Sequence, residues 1–442
     1  MAENIKHSLT HRLGLGLYTL CTLPAAALLL PRMLWRHRPL GRALRDLEER
    51  WGLLPQELPT GGWWVHAASA GEARAALALA QELERALPGP PVVLSCQTPA
   101  GRQLISSSGR PAFYFPFDLP GPTERALARL KPAAVLLVET ELWPRFLHTC
   151  ARAGVEVVVV SGRLSPRRLR SYARVAPLVR FTLQAIRLCC AQTPADAQRF
   201  ESLGVPPDRI RVTGNLKFDI EPPPVDPERV GPYRHTKADL VLVAGSTRPG
   251  EEEAVCEAFG ALLRRRPRSL LLIVPRHPQR ASETLAVALR RLGPDSARLR
   301  SELPASGRPD SCSCVVVDRM GELAALYRLA SIAFVGGSLV PAGGHTPIEP
   351  AACGVPTLFG RHMDHVREVA RGLLDAEAAI EVGSASELRQ RVLELSEDAA
   401  RRARLGRNAR ALVEAHRGAA RRTVEALEEL WARRPLAAAA QS

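Results

Sequence analysis

From residue 63 onward the chain repeats one pattern: a short unbroken apolar run, a polar turn, then apolar positions at helical spacing. "WWVHAA" leads into "EARAALALAQELERAL", "PVVLSC" into "TPAGRQLIS", "AAVLLVETE" into "LWPRFLHTCARAG", and "VEVVVVSG" into an arginine-rich helix from Pro166. Apolar runs without polar alternation are strands covered on both faces, and the helices between them make the sheet parallel. Residues 221–238, "EPPPVDPERVGPYRHTKA", interrupt the pattern with prolines and no apolar periodicity. Beyond them it restarts as "DLVLVAGS", "SLLLIVP", "CVVVD", "SIAFVGGS" and "VPTLFG". The expectation is an α/β protein in four parts: an N-terminal membrane-anchor and amphipathic segment over 1–47, a doubly wound domain over 48–220, a linker over 221–238, and a second doubly wound domain with terminal helices over 239–442. Two such domains are expected to face a central crevice, with ligands at the carboxyl ends of the strands.

Residues 13–31, "LGLGLYTLCTLPAAALLLP", are apolar and uncharged, with His11 and Arg12 before them and Arg32, Arg36 and Arg38 after. About 18 such residues reach across a bilayer. The arginines that follow and the lack of a cleavage site favour an uncleaved anchor, spanning or interfacial, over a signal peptide. The heavier positive flank keeps the body in the cytoplasm.

Composition adds one constraint. With 60 Lys+Arg against 45 Asp+Glu the net charge is +15, which favours anionic partners without choosing among phosphorylated substrates, acidic lipid and nucleic acid. Only Lys6, Lys131, Lys217 and Lys237 are lysines, so a lysine at a strand end is a deviation from the chain's habit. Nine scattered cysteines without a C-x-x-C read as reduced, buried thiols.

The polar loops fall where the strands end. Glu72 in "SAGE" fits a capping box, in which its carboxylate folds back on its own helix, and equally fits a general base beside the crevice. Glu139 and Glu141 share one face beyond "AAVLLV", and Lys217 in "GNLKFD" follows a glycine turn. Arg276 and His277 follow an apolar strand, where an arginine can clamp a phosphate. Arg163, Arg167, Arg168, Arg170 and Arg174 are a solvated helix face or a lipid headgroup contact. "GGSLVPAGGHTPIEP", residues 336–350, packs four glycines (Gly336, Gly337, Gly343 and Gly344) ahead of His345 and Glu349. That loop leaves open a metal, a sugar, a nucleotide or its own packing. The chain has no D-x-D, H-E-x-x-H, Walker motif or G-x-S-x-G.

Together "HAASAGE", "FPFDLPGP", "ETELWP", "GRLSPRR", "GNLKFD", "PRHP", "MGEL" and "GGSLVPAGGHTPIEPAACGVP" resemble the 3-deoxy-D-manno-octulosonic acid (Kdo) transferase family of lipopolysaccharide synthesis. The resemblance implies a GT-B glycosyltransferase of two Rossmann-like domains, moving Kdo from CMP-Kdo to a lipid A precursor with inversion. It also implies an anionic membrane surface as partner, an inner-membrane location with the body cytoplasmic, no nucleic acid, no cofactor and no metal. By position, Glu72 matches the family's proton acceptor, while Glu139 and Lys217 match its transition-state stabilisers. Pro275, Arg276, Met320, Gly321, Glu322, Thr346, Pro347, Ile348 and Glu349 match residues that hold CMP. Thr346 stands where the family usually has asparagine. The alternatives are a GT-B enzyme using a UDP-sugar and a non-catalytic basic protein that keeps the fold and binds membranes.

Overall fold

The computed structural model describes residues 14–20, 22, 40–174, 182–220, 231–233, 239–304 and 307–432. Most of the expected anchor and of the 221–238 linker lies outside the described residues. Among the described residues, no helix is long and apolar enough to cross a membrane.

The chain forms two compact units, one of residues 1–220 with 416–442, the other of 221–415. The first holds a parallel sheet of β1 (Trp63–Ala67), β2 (Val92–Cys96), β3 (Ala112–Tyr114), β4 (Ala134–Val138), β5 (Glu156–Gly162), β6 (Ile186–Ala191) and β7 (Ile210–Val212), in the order β3-β2-β1-β4-β5-β6-β7. The central strands are buried along their whole length, the double-sided burial that their unbroken apolar runs require. The direction of winding reverses between β1 and β4, and this is where an open parallel sheet leaves a crevice at its carboxyl edge.

The second unit repeats the design with β8 (Val241–Thr247), β9 (Leu270–Pro275), β10 (Ala297–Leu299), β11 (Cys314–Val316), β12 (Ile332–Val335), β13 (Thr357–Gly360) and β14 (Ala379–Val382), ordered β10-β11-β9-β8-β12-β13-β14, all parallel. Its winding reverses between β8 and β12. Both units are Rossmann-like, as expected of a GT-B protein.

One boundary differs from the sequence expectation. The sequence pattern places the helix Ala419–Ala432 in the 239–442 domain, yet it packs on the first unit. Ala419, Ala420, Val424 and Leu427 join the core built on β1, β2 and β4, and Trp431 meets Trp63 edge-on at 4.9 Å. Asp219 fixes the start of this segment, accepting from the Gly418 and Ala420 N–H groups at 2.6 and 2.5 Å. Its apolar face therefore belongs to the sheet at the far end of the sequence.

All eight described cysteines are unbonded, seven of them buried and Cys353 half-buried.

Candidate active site

Two polar clusters stand at the carboxyl edges of the two sheets. In the first unit, β1 delivers the helix Ala70–Ala86, whose N-cap is Ser69. Glu72 lies in its first turn, 9% exposed. Its carboxylate accepts from the Ala68 N–H at 2.9 Å and from the Ser69 hydroxyl at 2.8 Å, while the Glu72 N–H donates to Ser69 Oγ at 3.3 Å. The capping-box geometry is thus formed. It does not neutralise the group: burial lifts the Glu72 carboxyl above the usual range, Glu139 adds to the rise, and Ser69, Ala68 and Lys217 partly offset it.

Glu139 ends β4 with φ 64°, a left-handed backbone that costs a non-glycine residue about 1–3 kcal/mol. Its N–H bonds to the Val160 carbonyl at 2.9 Å, and its side chain receives a hydrogen bond from Lys217 Nζ. Burial pushes the Glu139 carboxyl up, but the Lys217 ammonium, with Arg163 and Arg168 behind it, outweighs burial and holds it below the ordinary range. Lys217 is placed by three contacts. Asn215 caps its 3₁₀ turn, accepting from the Lys217 N–H at 2.9 Å; Ser161 Oγ receives the Leu216 N–H at 3.2 Å; and Asp219 ties the turn's end to the terminal helix. Ser161 itself sits at φ 53°.

Glu141 completes the cluster. It accepts from Trp143 Nε1 at 2.9 Å and Gln97 Nε2 at 3.4 Å, and its carboxyl is pushed up to about 7, by burial first and then by Glu72. The helix Pro166–Ala173 buries none of its residues and carries Arg167, Arg168 and Arg170 exposed.

In the second unit, Arg276 leaves β9 with its N–H on the Thr247 carbonyl at 3.0 Å, and Arg248 follows β8 alongside it. Burial, and Arg248 as a like charge, lower the Arg276 guanidinium. Pro275 is buried and Met320 is 55% exposed. Gly321 takes φ 87°. The Glu322 carboxylate is engaged from within the unit by the Tyr233 hydroxyl and, at 3.6 Å, by Arg300. Thr346 Oγ1 accepts from its own Ile348 N–H at 3.4 Å. Pro347 and Ile348 are buried and Glu349 is half-buried.

The 336–350 loop is held by a residue the sequence reading passed over. Glu251, fully buried, accepts from the N–H groups of Arg248, Gly337, Ser338 and Leu339 at 2.8, 2.7, 2.9 and 2.9 Å. The signal was present as an acidic run opening a helix after a glycine. The loop's glycines make room for imidazoles: Gly337 has φ 69°, and a Cβ there would lie 3.0 Å from His345 Cδ2. His345 is pushed down to about 4, by burial first and then by Arg276 and Arg248.

The family described as 3-deoxy-D-manno-octulosonic-acid transferase (kdotransferase) matches residues 45–220. A relative named 3-deoxy-D-manno-octulosonic acid transferase from Bordetella pertussis is 36% identical over 94% of this chain and 99% of its own. One of the same name from Haemophilus influenzae is 32% identical over 88% and 92%. Among solved structures, a UDP-N-acetylglucosamine 2-epimerase assigned as putative, from Listeria monocytogenes, superposes with a TM-score of 0.60 at 15% identity, over 85% of this chain and 98% of that one. That likeness concerns the fold alone.

Proposed function

The chain belongs to the 3-deoxy-D-manno-octulosonic acid transferase family, and from that premise we propose that it moves Kdo from CMP-Kdo to a sugar hydroxyl of a lipid A precursor, with inversion, at the cytoplasmic face of the inner membrane. The observation that carries the residue roles is the cluster of Glu72, Glu139 and Lys217 at the reversal point of the first sheet. Glu72 is a carboxylate whose proton affinity is raised by burial and a like charge, which suits a general base working near neutrality. It takes the proton of the acceptor hydroxyl as that oxygen attacks the anomeric carbon. The bond from that carbon to the phosphate oxygen breaks, and CMP departs with the electron pair.

Lys217 and Glu139 act as a unit in this reading. The ammonium keeps Glu139 ionised, and the pair presents a fixed dipole to the charge that develops on the sugar. The second unit holds the nucleotide: Arg276 offers a guanidinium to the phosphate, and Glu349 offers a carboxylate to ribose hydroxyls. Glu322, bonded to Tyr233 and Arg300, serves by fixing the turn whose Met320 and Gly321 are open to a ligand. The membrane reading draws support from residues 14–20. Leu15 is buried and Tyr18 hydrogen-bonds to Asp118, while Leu17 and Leu20 face outward, 64% and 69% exposed. Exposed leucines of that kind favour an apolar phase.

The test is one assay with purified protein, a lipid A precursor and either CMP-Kdo or UDP-sugars, read by product mass. Growth of the acceptor by Kdo units from CMP-Kdo alone is the expected result. Transfer from a UDP-sugar in its place, or no transfer, overturns the reading.

A further inference from the structure

Arg248 belongs to none of the residue sets assigned above, yet the fold sets it beside Arg276. In the β8–β9 register Thr247 pairs with Pro275, so Arg248 and Arg276 are the next residues of two adjacent parallel strands, about 4.8 Å apart at the backbone. Neither has a carboxylate partner among the described residues. Arg248 Nη1 lies 3.4 Å from His277 Nε2, and Arg248 Nε is buried with no hydrogen-bond partner, as is His345 Nε2 on the neighbouring loop. A buried polar atom left unbonded loses the hydrogen bond it made to water and gains none in return. Two unpaired guanidiniums side by side repel one another as well. An arrangement held together at that expense, with Glu251 fixing the Arg248 backbone, is built for a ligand bringing more than one negative charge.

This inference rests on the donor proposed above. An octulosonic acid linked through its anomeric carbon to CMP carries two anions on that one carbon, the phosphodiester and the sugar's own carboxylate. A neutral sugar on a nucleotide lacks the second. We propose that Arg248 is a donor-specificity residue: its guanidinium binds the sugar carboxylate while Arg276 beside it binds the phosphate. The site then discriminates acidic ketosugar donors from neutral ones by leaving Arg248 unpaired with the latter.

The experiment compares the KM for CMP-Kdo with the inhibition constant of CMP, which has the phosphate but no sugar. Arg248→Gln is expected to raise the KM about 10- to 100-fold and leave CMP inhibition within about twofold. Arg276→Gln raises both. Arg248→Lys, which keeps the charge without the planar fork, falls between. CMP binding by Arg248→Gln doubles as its folding control. A KM and a CMP constant that rise together assign Arg248 to the phosphate and overturn the proposal; so does a KM that does not move. Wild-type protein that turns over no CMP-Kdo overturns the functional reading and this inference with it, whereas normal wild-type turnover with an indifferent Arg248→Gln variant overturns this inference alone.

Discussion

Lys217 Nζ donates to Glu139 Oε1, a carboxylate held at the end of β4 by a left-handed backbone. The two residues stand 78 positions apart in sequence, and their side chains are 21% and 19% exposed. Their pairing fixes the charge state of the site. Removing the lysine leaves Glu139 partly buried without its main counter-charge, so Lys217→Met is expected to cost about 1–3 kcal/mol of stability, a buried-pair cost discounted for the remaining exposure. Loss of the ammonium also raises the proton affinity of Glu139 and of Glu72, so the acid limb of kcat/KM moves to higher pH. The double variant Glu139→Gln with Lys217→Met recovers stability in urea titration but not turnover.

Glu72 caps its own helix and is the proposed base, and one substitution separates the two. Glu72→Gln keeps an amide oxygen for the Ala68 N–H or the Ser69 hydroxyl but cannot accept a proton at neutral pH. Turnover is expected to fall by about 10²–10⁴, with CMP affinity unchanged and thermal stability lowered by no more than a helix cap is worth, about 1 kcal/mol. Turnover near the wild-type rate removes Glu72 from the role of base.

Burial and neighbouring carboxylates push the Glu141 carboxyl up to about 7. The charge of Glu72 is, after burial, the main cause of that rise, and a like-charge repulsion acts on both partners. Glu141→Gln removes one like charge, lowers the proton affinity of Glu72, and is expected to shift the acid limb of the kcat/KM profile to lower pH. An unmoved limb shows that Glu141 does not share the field of the base.

Much of this site was legible in the sequence, for reasons that also explain what was not. Nine apolar runs located nine strands because central parallel strands must be apolar on both faces. β3, β7 and β10, of three residues each, and β14, of four, escaped because so short a run at a sheet edge carries too little pattern, and β6, "IRLCCA", because cysteines and an arginine break its apolar run. Glu139 was visible as a polar residue directly beyond a strand end, Glu72 and Lys217 as polar residues in short loop motifs, "SAGE" and "GNLKFD". Their mutual contacts were not, because the sheet order that brings Glu139 and Lys217 together is a long-range property. Glu251 and Ser161 were missed because they act on backbone N–H groups, and a side chain bonded to another segment's backbone leaves no spacing rule in its own.

The Glu251 carboxylate is the single acceptor for four N–H groups from two loops, so its loss releases the 337–339 stretch from the turn that follows β8. Glu251→Ala strands all four and is expected to cost on the order of 3–5 kcal/mol. Glu251→Gln keeps one acceptor oxygen and folds. In that variant CMP binding weakens by about tenfold or more, and hydrogen exchange quickens at Gly337, Ser338 and Leu339 ahead of the rest of the unit. Unchanged exchange at those three amides rejects the clamp.

The terminal helix offers the sharpest separation of the two units. The chain has six tryptophans, and the five that the structure describes, Trp51, Trp63, Trp64, Trp143 and Trp431, all belong to the first unit. Fluorescence of these five therefore reports that unit, while CMP binding, under the proposed function, reports the other. A chain ending at residue 415 loses Val424 and Leu427 from the core around β1, the Trp431 contact with Trp63, and both N–H donors to Asp219. Burial of that apolar surface is worth on the order of 5 kcal/mol, so the fluorescence-detected unfolding midpoint is expected to fall steeply. Because Asp219 closes the turn that carries Lys217, turnover falls with it, while CMP affinity stays near wild type. Had the helix belonged to the second unit, as its place in the sequence suggests, the same truncation would weaken CMP binding and leave the tryptophan transition where it was.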